Sequence, residues 1–308
     1  MTWAVSVVRF DKTDMPRLQQ ALHIPAIVST DNRLIVPGIE VLCIVLRRLS
    51  FPTRLDDLGK EFGREGSKIS WIYQWGVAHI CTLFSDVLYW DKDRLTLEVL
   101  QEYADAVRDA GTPYVDCFGF VDGTVWQICR PLQYQRQLFN GHHQVPALKF
   151  HGIMAPDGIM IHLGGPFNGP FHDITLWKQS GIKDLLVKHA FGPNGKILFV
   201  YGDPGYSGEF PHLQYPFKSA FPTPEQHACN VEMSRHRICV EWGWGKAKME
   251  FAALDWWQMQ KVLLSPIALY FCCGILLTNA HTCLYGSETL SHFRCRPPLL
   301  EHYLRVNQ

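Results

Sequence analysis

The sequence predicts an α/β domain behind an all-helical N-terminal region. Three observations predict it. Apolar residues recur at helical spacing over roughly residues 37–80, with turn and capping residues between the runs. From Val115 the texture changes to short segments rich in aromatic and β-branched residues, bounded by turn signals. The composition, 47% hydrophobic and 19% charged over 308 residues, is that of a folded chain with a sizeable core. The division falls near residue 100. It leaves a helical region over 1–100 and an α/β domain over 101–308 that closes with helices.

The elements follow in order. Residues 1 to about 30 carry no clear signal. Pro37-Gly38 opens a buried helix, IEVLCIVLRRL. Thr53 is placed to cap RLDDLGKEF, with Asp56 in capping-box position, and Gly63 ends that helix. Ser67 is placed to cap KISWIYQWGVAHI. Helix, Gly turn and helix over about 39–80 make a helix-turn-helix-like unit whose candidate DNA-reading face would carry Lys68, Ser70, Trp71 and Gln74. A plain helical subdomain is the other reading. CFGFVDGTVWQ is the first strand and ALKFHGIMAP the second. Pro156-Asp157-Gly158 is a turn, and IMIHLGGPF is a third strand pairing back. A helical stretch, HDITLWKQSGIKDLLVKHA, precedes the fourth strand, KILFVYGDPGY, and MSRHRICVEWGWGKAKMEF is a further helix.

Bulk properties bound the function. The formal net charge is zero, so nucleic-acid binding would depend on where the cations sit. Ten Cys are present without a CxxC pair, which excludes the common zinc-ribbon spacings. The start of the chain lacks the basic-then-apolar order of a signal peptide, so the Cys are expected to be reduced thiols. The apolar stretch Val262–Leu277 falls short of the roughly 20 residues a membrane span needs and contains Pro266 and Gly274; it is read as a buried core helix.

Three carboxylates stand out. Asp122 ends the first strand before Gly123, and Asp203 ends the fourth before Pro204-Gly205. If those strands are neighbours, the two side chains converge. Glu241 lies on the later helix, with Arg237 one turn before it, Gly245 one turn after and Lys248 two turns after. Such a face brings a carboxylate and two cations towards a phosphate, and Gly245 would admit a close neighbour. Carboxylates gathered in this way suit a pair of hard divalent ions about 3.5–4 Å apart, the arrangement that cleaves phosphodiesters with water. Each acid alone has an ordinary explanation, a turn Asp or a Glu in a solvated ion pair.

The ordered motifs resemble a known family. VDGTVWQICRP, the middle segment from LFNGHHQ to LWKQSG, VYGDPGYSG and MSRHRICVEWGWGK resemble the PIF/Harbinger group of DDE transposases and their domesticated, Harbinger-derived relatives. The likeness is dense from about Phe118 to Gly286. It implies an RNase H-like mixed sheet flanked by helices, and a DDE-type nuclease or transposase that cuts DNA with two Mg²⁺ or Mn²⁺ ions. Asp122, Asp203 and Glu241 then take the three catalytic, metal-holding places. Asp173, in PFHDITLW, is the rival for the middle place, and as the start of a helix it is read first as a cap. The chain departs from the family pattern at Val125, His143, Pro146 and Trp244; His143 stands where Lys is expected, which removes a cation from the DNA side.

No Asp or Glu occurs from Gly123 to Pro156, a span carrying Arg130, Arg136 and Lys149 with His142, His143 and His151. With Arg235, Arg237, Lys246 and Lys248 these form the expected basic lining, and Arg130, Arg136, Lys149, Arg237, Lys246 and Lys248 are the expected DNA contacts. The resemblance further implies DNA as partner, a Myb/SANT-like accessory protein, a homo-oligomer and a nuclear location. A non-catalytic, domesticated DNA-binding scaffold is the alternative, and a hydrolase of small phosphate esters a third.

Overall fold

The computed structural model describes residues 7–306. Helix α1 (Met15–Ala21) leads into a hairpin of β1 (Ile27–Ser29) and β2 (Ile35–Pro37), short strands that the first thirty residues did not announce. Helices α2 (Gly38–Ser50), α3 (Leu55–Phe62), α4 (Gly66–Trp90) and α5 (Leu97–Asp109) follow. Gly63 adopts a left-handed conformation, φ 64°, and stops α3 as expected. Two expected caps are replaced. Arg54, not Thr53, stands at the start of α3, and the Thr53 hydroxyl instead accepts from Arg47 Nη1 at 3.0 Å. Helix α4 starts at Gly66 behind Glu65, so Ser67 lies inside its first turn. Gly66 is there because an added Cβ would come 2.6 Å from Asp56 Oδ1; α3 and α4 thus meet closely, and the Asp56 carboxylate points there.

The mixed sheet comprises β3 (Cys117–Gln127), β4 (Phe139–Asn140), β5 (Val145–Met154), β6 (Met160–Asn168), β7 (Phe199–Tyr201) and β8 (Leu213–Gln214). Its order is β4-β5-β3-β7-β8, with β6 also on β5. β5 runs antiparallel to β3 and β6, whereas β7 runs parallel to both β3 and β8. A short helix α6 (Gln135–Leu138) precedes β4. The stretch read as one helix after β6 divides into α7 (Asp173–Gln179) and α8 (Ile182–His189), because Gly181 takes φ +76° between them. Helix α9 (Pro224–Glu250) starts nine residues before Met233, earlier than expected, with a full Thr223/Gln226 capping box. Helices α10 (Ile267–Tyr285), α11 (Glu288–Phe293) and α12 (Leu300–Tyr303) complete the chain.

Helices α5 and α9 pack on β3, and α4 and α10 pack on β6 and on each other, so one apolar core joins the N-terminal helices to the sheet. Helix α10 is long and apolar enough to cross a membrane by composition, yet most of it is buried here. Its Asn279 side chain accepts from Met160 N at 3.0 Å and donates to Met160 O at 2.9 Å, standing in for a strand partner at the start of β6. The Pro156-Asp157-Gly158 turn is buried, not exposed. Asp157 Oδ2 accepts from Tyr103 at 2.5 Å and lies 3.5 Å from Arg94. All ten cysteines are free.

Candidate active site

Strands β3 and β7 are neighbours, in register Phe120↔Tyr201. Asp122 and Asp203 each lie two residues further on, where β7 has left the sheet. Asp122 does not end its strand: β3 continues to Gln127 and keeps pairing with β5, Asp122 opposite Gly152. One side of Asp122 is therefore held by a ladder and the other is open. Asp203 stands before a 3-10 turn over Pro204–Tyr206, and its Oδ1 accepts from Gly205 N at 2.8 Å. That is a turn Asp's hydrogen bond; its other oxygen is left for a ligand.

Asp173 corrects its expected role. His172 occupies the cap position of α7, with no capping bond from a side chain, and Asp173 is the first residue of the helix. Its carboxylate turns towards the other two acids. An added Cβ at Gly123 would lie 2.6 Å from Asp173 Oδ1; one at Gly205 would lie 2.9 Å from both Asp173 Oδ2 and Asp203 Oδ1. The two glycines are thus what let the three Asp approach. Lys149 Nζ, on β5, lies 3.4 Å from Asp173 Oδ1.

Glu241 stands apart from this group. Its Oε1 accepts from Arg237 Nη2 at 3.0 Å, and its side chain is 52% exposed against 18% for Asp122. Arg237 Nη1 in turn lies 3.7 Å from Asp122 Oδ2. The Arg237 guanidinium thus bridges Glu241 to Asp122 and offsets part of the negative charge of both. Gly245 meets nothing within 4 Å, contrary to the close approach expected there. The tight glycines are Gly243, against Met154, and Gly152, against Trp244.

Burial, with help from Asp203 and Asp173 and against the pull of Arg237, pushes the Asp122 carboxyl up to about 7. Asp203 is raised as well, by burial first and then by Asp173. The fully buried Tyr206 hydroxyl has no hydrogen-bond partner; burial first, and then these three carboxylates, raise it. His151, below the site on β5, is buried without partners and held far below its usual range by burial, so it is neutral.

The expected basic lining divides. Arg237 and Lys149 touch the acids. Arg130, bonded to Gln135, and Arg136 lie exposed on the segment around α6. Lys248 pairs with Asp255 at 3.2 Å and covers the Trp126 ring. Lys246 departs from expectation: it turns inward to Thr282 Oγ1 at 2.9 Å and Gly286 O at 2.6 Å, and burial lowers it to about 8. Its ammonium is therefore taken up by the end of α10. The backbone N–H groups of His142 and His143 are held by Asn140 Oδ1.

The donor chemistry suits a hard divalent cation, since carboxylate oxygens predominate and their desolvated charge is only partly offset. The ligand set is not assembled, however. Among the described residues no group of three or more His, Cys, Asp or Glu side chains stands ready to hold a metal. The charges of Asp203 and Asp173 act on Asp122, and that of Asp173 on Asp203, without the three forming a single coordination sphere.

A family model described as DDE superfamily endonuclease matches residues 121–279, just over half of the chain. The chain belongs to that family. The matched span begins one residue before Asp122 and includes Asp173, Asp203 and Glu241. Neither a curated protein nor a solved structure matches the chain.

Proposed function

We propose that this chain is a metal-dependent DNA endonuclease of the transposase kind, in the PIF/Harbinger group, with an RNase H-like core. The observation that carries the proposal is the parallel pairing of β3 with β7, which sets Asp122 beside Asp203 within the family-matched span. Asp122 and Asp203 would hold divalent ions, with Glu241 as the third ligand and Asp173 beside them. When bound, two Mg²⁺ or Mn²⁺ ions supply an activated water and stabilise the leaving oxygen. The chain's own residues do the rest. Asp122 gives up the proton that burial favours. Glu241 comes free of Arg237, and the released guanidinium faces a phosphate. Lys149 offsets Asp173. The helix-turn-helix-like pair α3–α4, the exposed Arg130 and Arg136, a Myb/SANT-like partner, a homo-oligomer and a nuclear location belong to the same proposal.

A second reading, a domesticated DNA-binding scaffold without catalysis, is favoured by one observation: the Glu241 carboxylate is engaged by Arg237 at 3.0 Å. Plasmid nicking decides. On the first reading, Mg²⁺ or Mn²⁺ supports nicking that Asp122→Asn and EDTA each abolish. Nicking that survives either treatment places the site elsewhere, and DNA binding without nicking supports the scaffold.

A further inference from the structure

Away from the acids, a cavity of about 290 Å³ lies between the end of α2, the start of α4 and the segment 253–265 that follows α9. It is lined by Arg48, Ser70, Tyr73, Gln74, Lys261 and Tyr270 among others, and by no Asp or Glu. Its far wall is fixed. Ala253 N donates to Leu49 O at 3.0 Å, Gln260 Nε2 to Ala253 O at 2.9 Å, and Cys129 N to Gln260 O at 2.9 Å. The rings of Tyr73 and Tyr270 lie 5.1 Å apart and form one side.

Arg48 is the unusual member. Its neighbour Arg47 has a carboxylate partner, Glu61 at 2.7 Å. Arg48 has none among the described residues: Nη1 donates to the Thr53 carbonyl, and Nε is buried with no partner at all. Burial lowers it, and the phenols of Tyr73 and Tyr270 are the groups that act on its charge in the other direction. Arg48 is half-buried, and a guanidinium whose Nε is kept from water without a counter-charge carries a cost that pairing normally offsets. Lys261, exposed at the mouth, supplies a second cation, while Ser70 and Gln74 lie one turn apart on α4, Gln74 Nε2 donating to Ser70 Oγ at 3.2 Å and leaving the Ser70 hydroxyl as a donor. A planar guanidinium, an ammonium and neutral donors, without an acid, form a recognition set for a tetrahedral oxyanion.

We propose that this cavity binds a phosphate group, on Arg48 and Lys261. The phosphate is either one of a DNA backbone or free in solution. DNA is the source the surroundings favour, because Ser70 and Gln74 lie on the face of α4 expected to meet DNA and the enclosing segment leaves the helix that carries Arg237 and Glu241; that choice of source rests on the endonuclease proposal, whereas the anion site does not.

The test uses the full chain, with inorganic phosphate and a DNA duplex as probes. Phosphate should raise the melting temperature of the wild type, and much less that of Arg48→Gln or Lys261→Gln. If DNA is the source, each variant should bind the duplex several-fold more weakly, and the slope of log affinity against log salt should flatten by about one for each cation lost. Phosphate binding that depends on the two cations, with duplex binding unchanged, assigns the site to a free anion. Should Arg48→Gln fail to fold, the exposed Lys261→Gln decides alone. Wild-type protein that gains nothing from phosphate, with unaltered duplex binding in Lys261→Gln, overturns the proposal. The response to inorganic phosphate does not pass through the carboxylates, so loss of nicking in Asp122→Asn, or absence of nicking altogether, leaves this site standing.

Discussion

Arg237 Nη1 lies 3.7 Å from Asp122 Oδ2, so one guanidinium links two acids of the proposed site. Its other amino group holds Glu241 at 3.0 Å. A bound divalent ion would have to compete with this cation for the same oxygens.

Arg237→Gln is therefore expected to bind Mn²⁺ more tightly than the wild type, by roughly three- to tenfold. That corresponds to an ion pair of about 1 kcal/mol that no longer has to be given up. Calorimetric titration of the metal-free protein measures it. Weaker binding in the variant would mean that Arg237 organises the acids and does not compete with the ion.

Asp122 makes the metal-free protein sensitive to pH. Its folded carboxyl is raised to about 7 from an ordinary 3.8. A raised group contributes stability that is complete below the unfolded value and lost as pH climbs through the folded one, because the unfolded chain ionises first. The loss runs from about pH 4 to about pH 7, with a ceiling of roughly 4 kcal/mol. Other carboxylates titrate in that window, so the informative quantity is a difference. Denaturant titrations should show Asp122→Asn gaining on the wild type as pH rises, with the gap largest above 7. A gap that does not change with pH would show that the carboxyl titrates normally.

Asp173 raises both Asp122 and Asp203 by like charge, and it does not cap α7. Asp173→Asn should thus cost less than the ~1 kcal/mol typical of a lost cap. It should also move the Asp122-dependent loss of stability to lower pH, since one repelling charge is gone. A loss of a full cap's worth of stability, with the pH dependence unmoved, would restore the capping role.

These contrasts show what the sequence made legible. The strand–turn–strand order was readable because β-branched and aromatic runs alternate with Gly and Pro signals. The pairing of β3 with β7 was not, since Cys117 and Phe199 are far apart in the chain and register is set by tertiary packing. Asp122 was visible as a carboxylate before Gly123, and Asp203 as one before Pro204-Gly205. Asp173 was misread because an Asp opening a helix has a strong local explanation, and only the third dimension shows its side chain turned past Gly123 and Gly205. Lys246 was misread for the converse reason: helical spacing gives a face, but not the Thr282 and Gly286 oxygens waiting beside it. Thr53 and Ser67 fit capping patterns, yet α3 and α4 begin beside them, where the Gly66–Asp56 contact fixes the turn.

The buried Asp157 is the point at which the β5–β6 turn and the N-terminal helices are joined. Its Oδ1 accepts from Ile159 N at 2.9 Å, which shapes the turn, while Oδ2 faces Tyr103 and Arg94. Asp157→Asn keeps an acceptor for Ile159 but leaves the Arg94 charge with only Asp91, at 3.5 Å, to offset it. Removing one partner of a buried pair costs about 3–5 kcal/mol, and the remaining Asp91 should hold the loss to about 2–4 kcal/mol. Asp157→Leu removes the turn bond as well and should cost more. Tyr103→Phe removes one hydroxyl and should cost about 1–3 kcal/mol. Urea titration orders the three variants. If Asp157→Asn proves as stable as the wild type, the Arg94 charge is balanced without Asp157, and the join between helices and sheet rests on apolar packing alone.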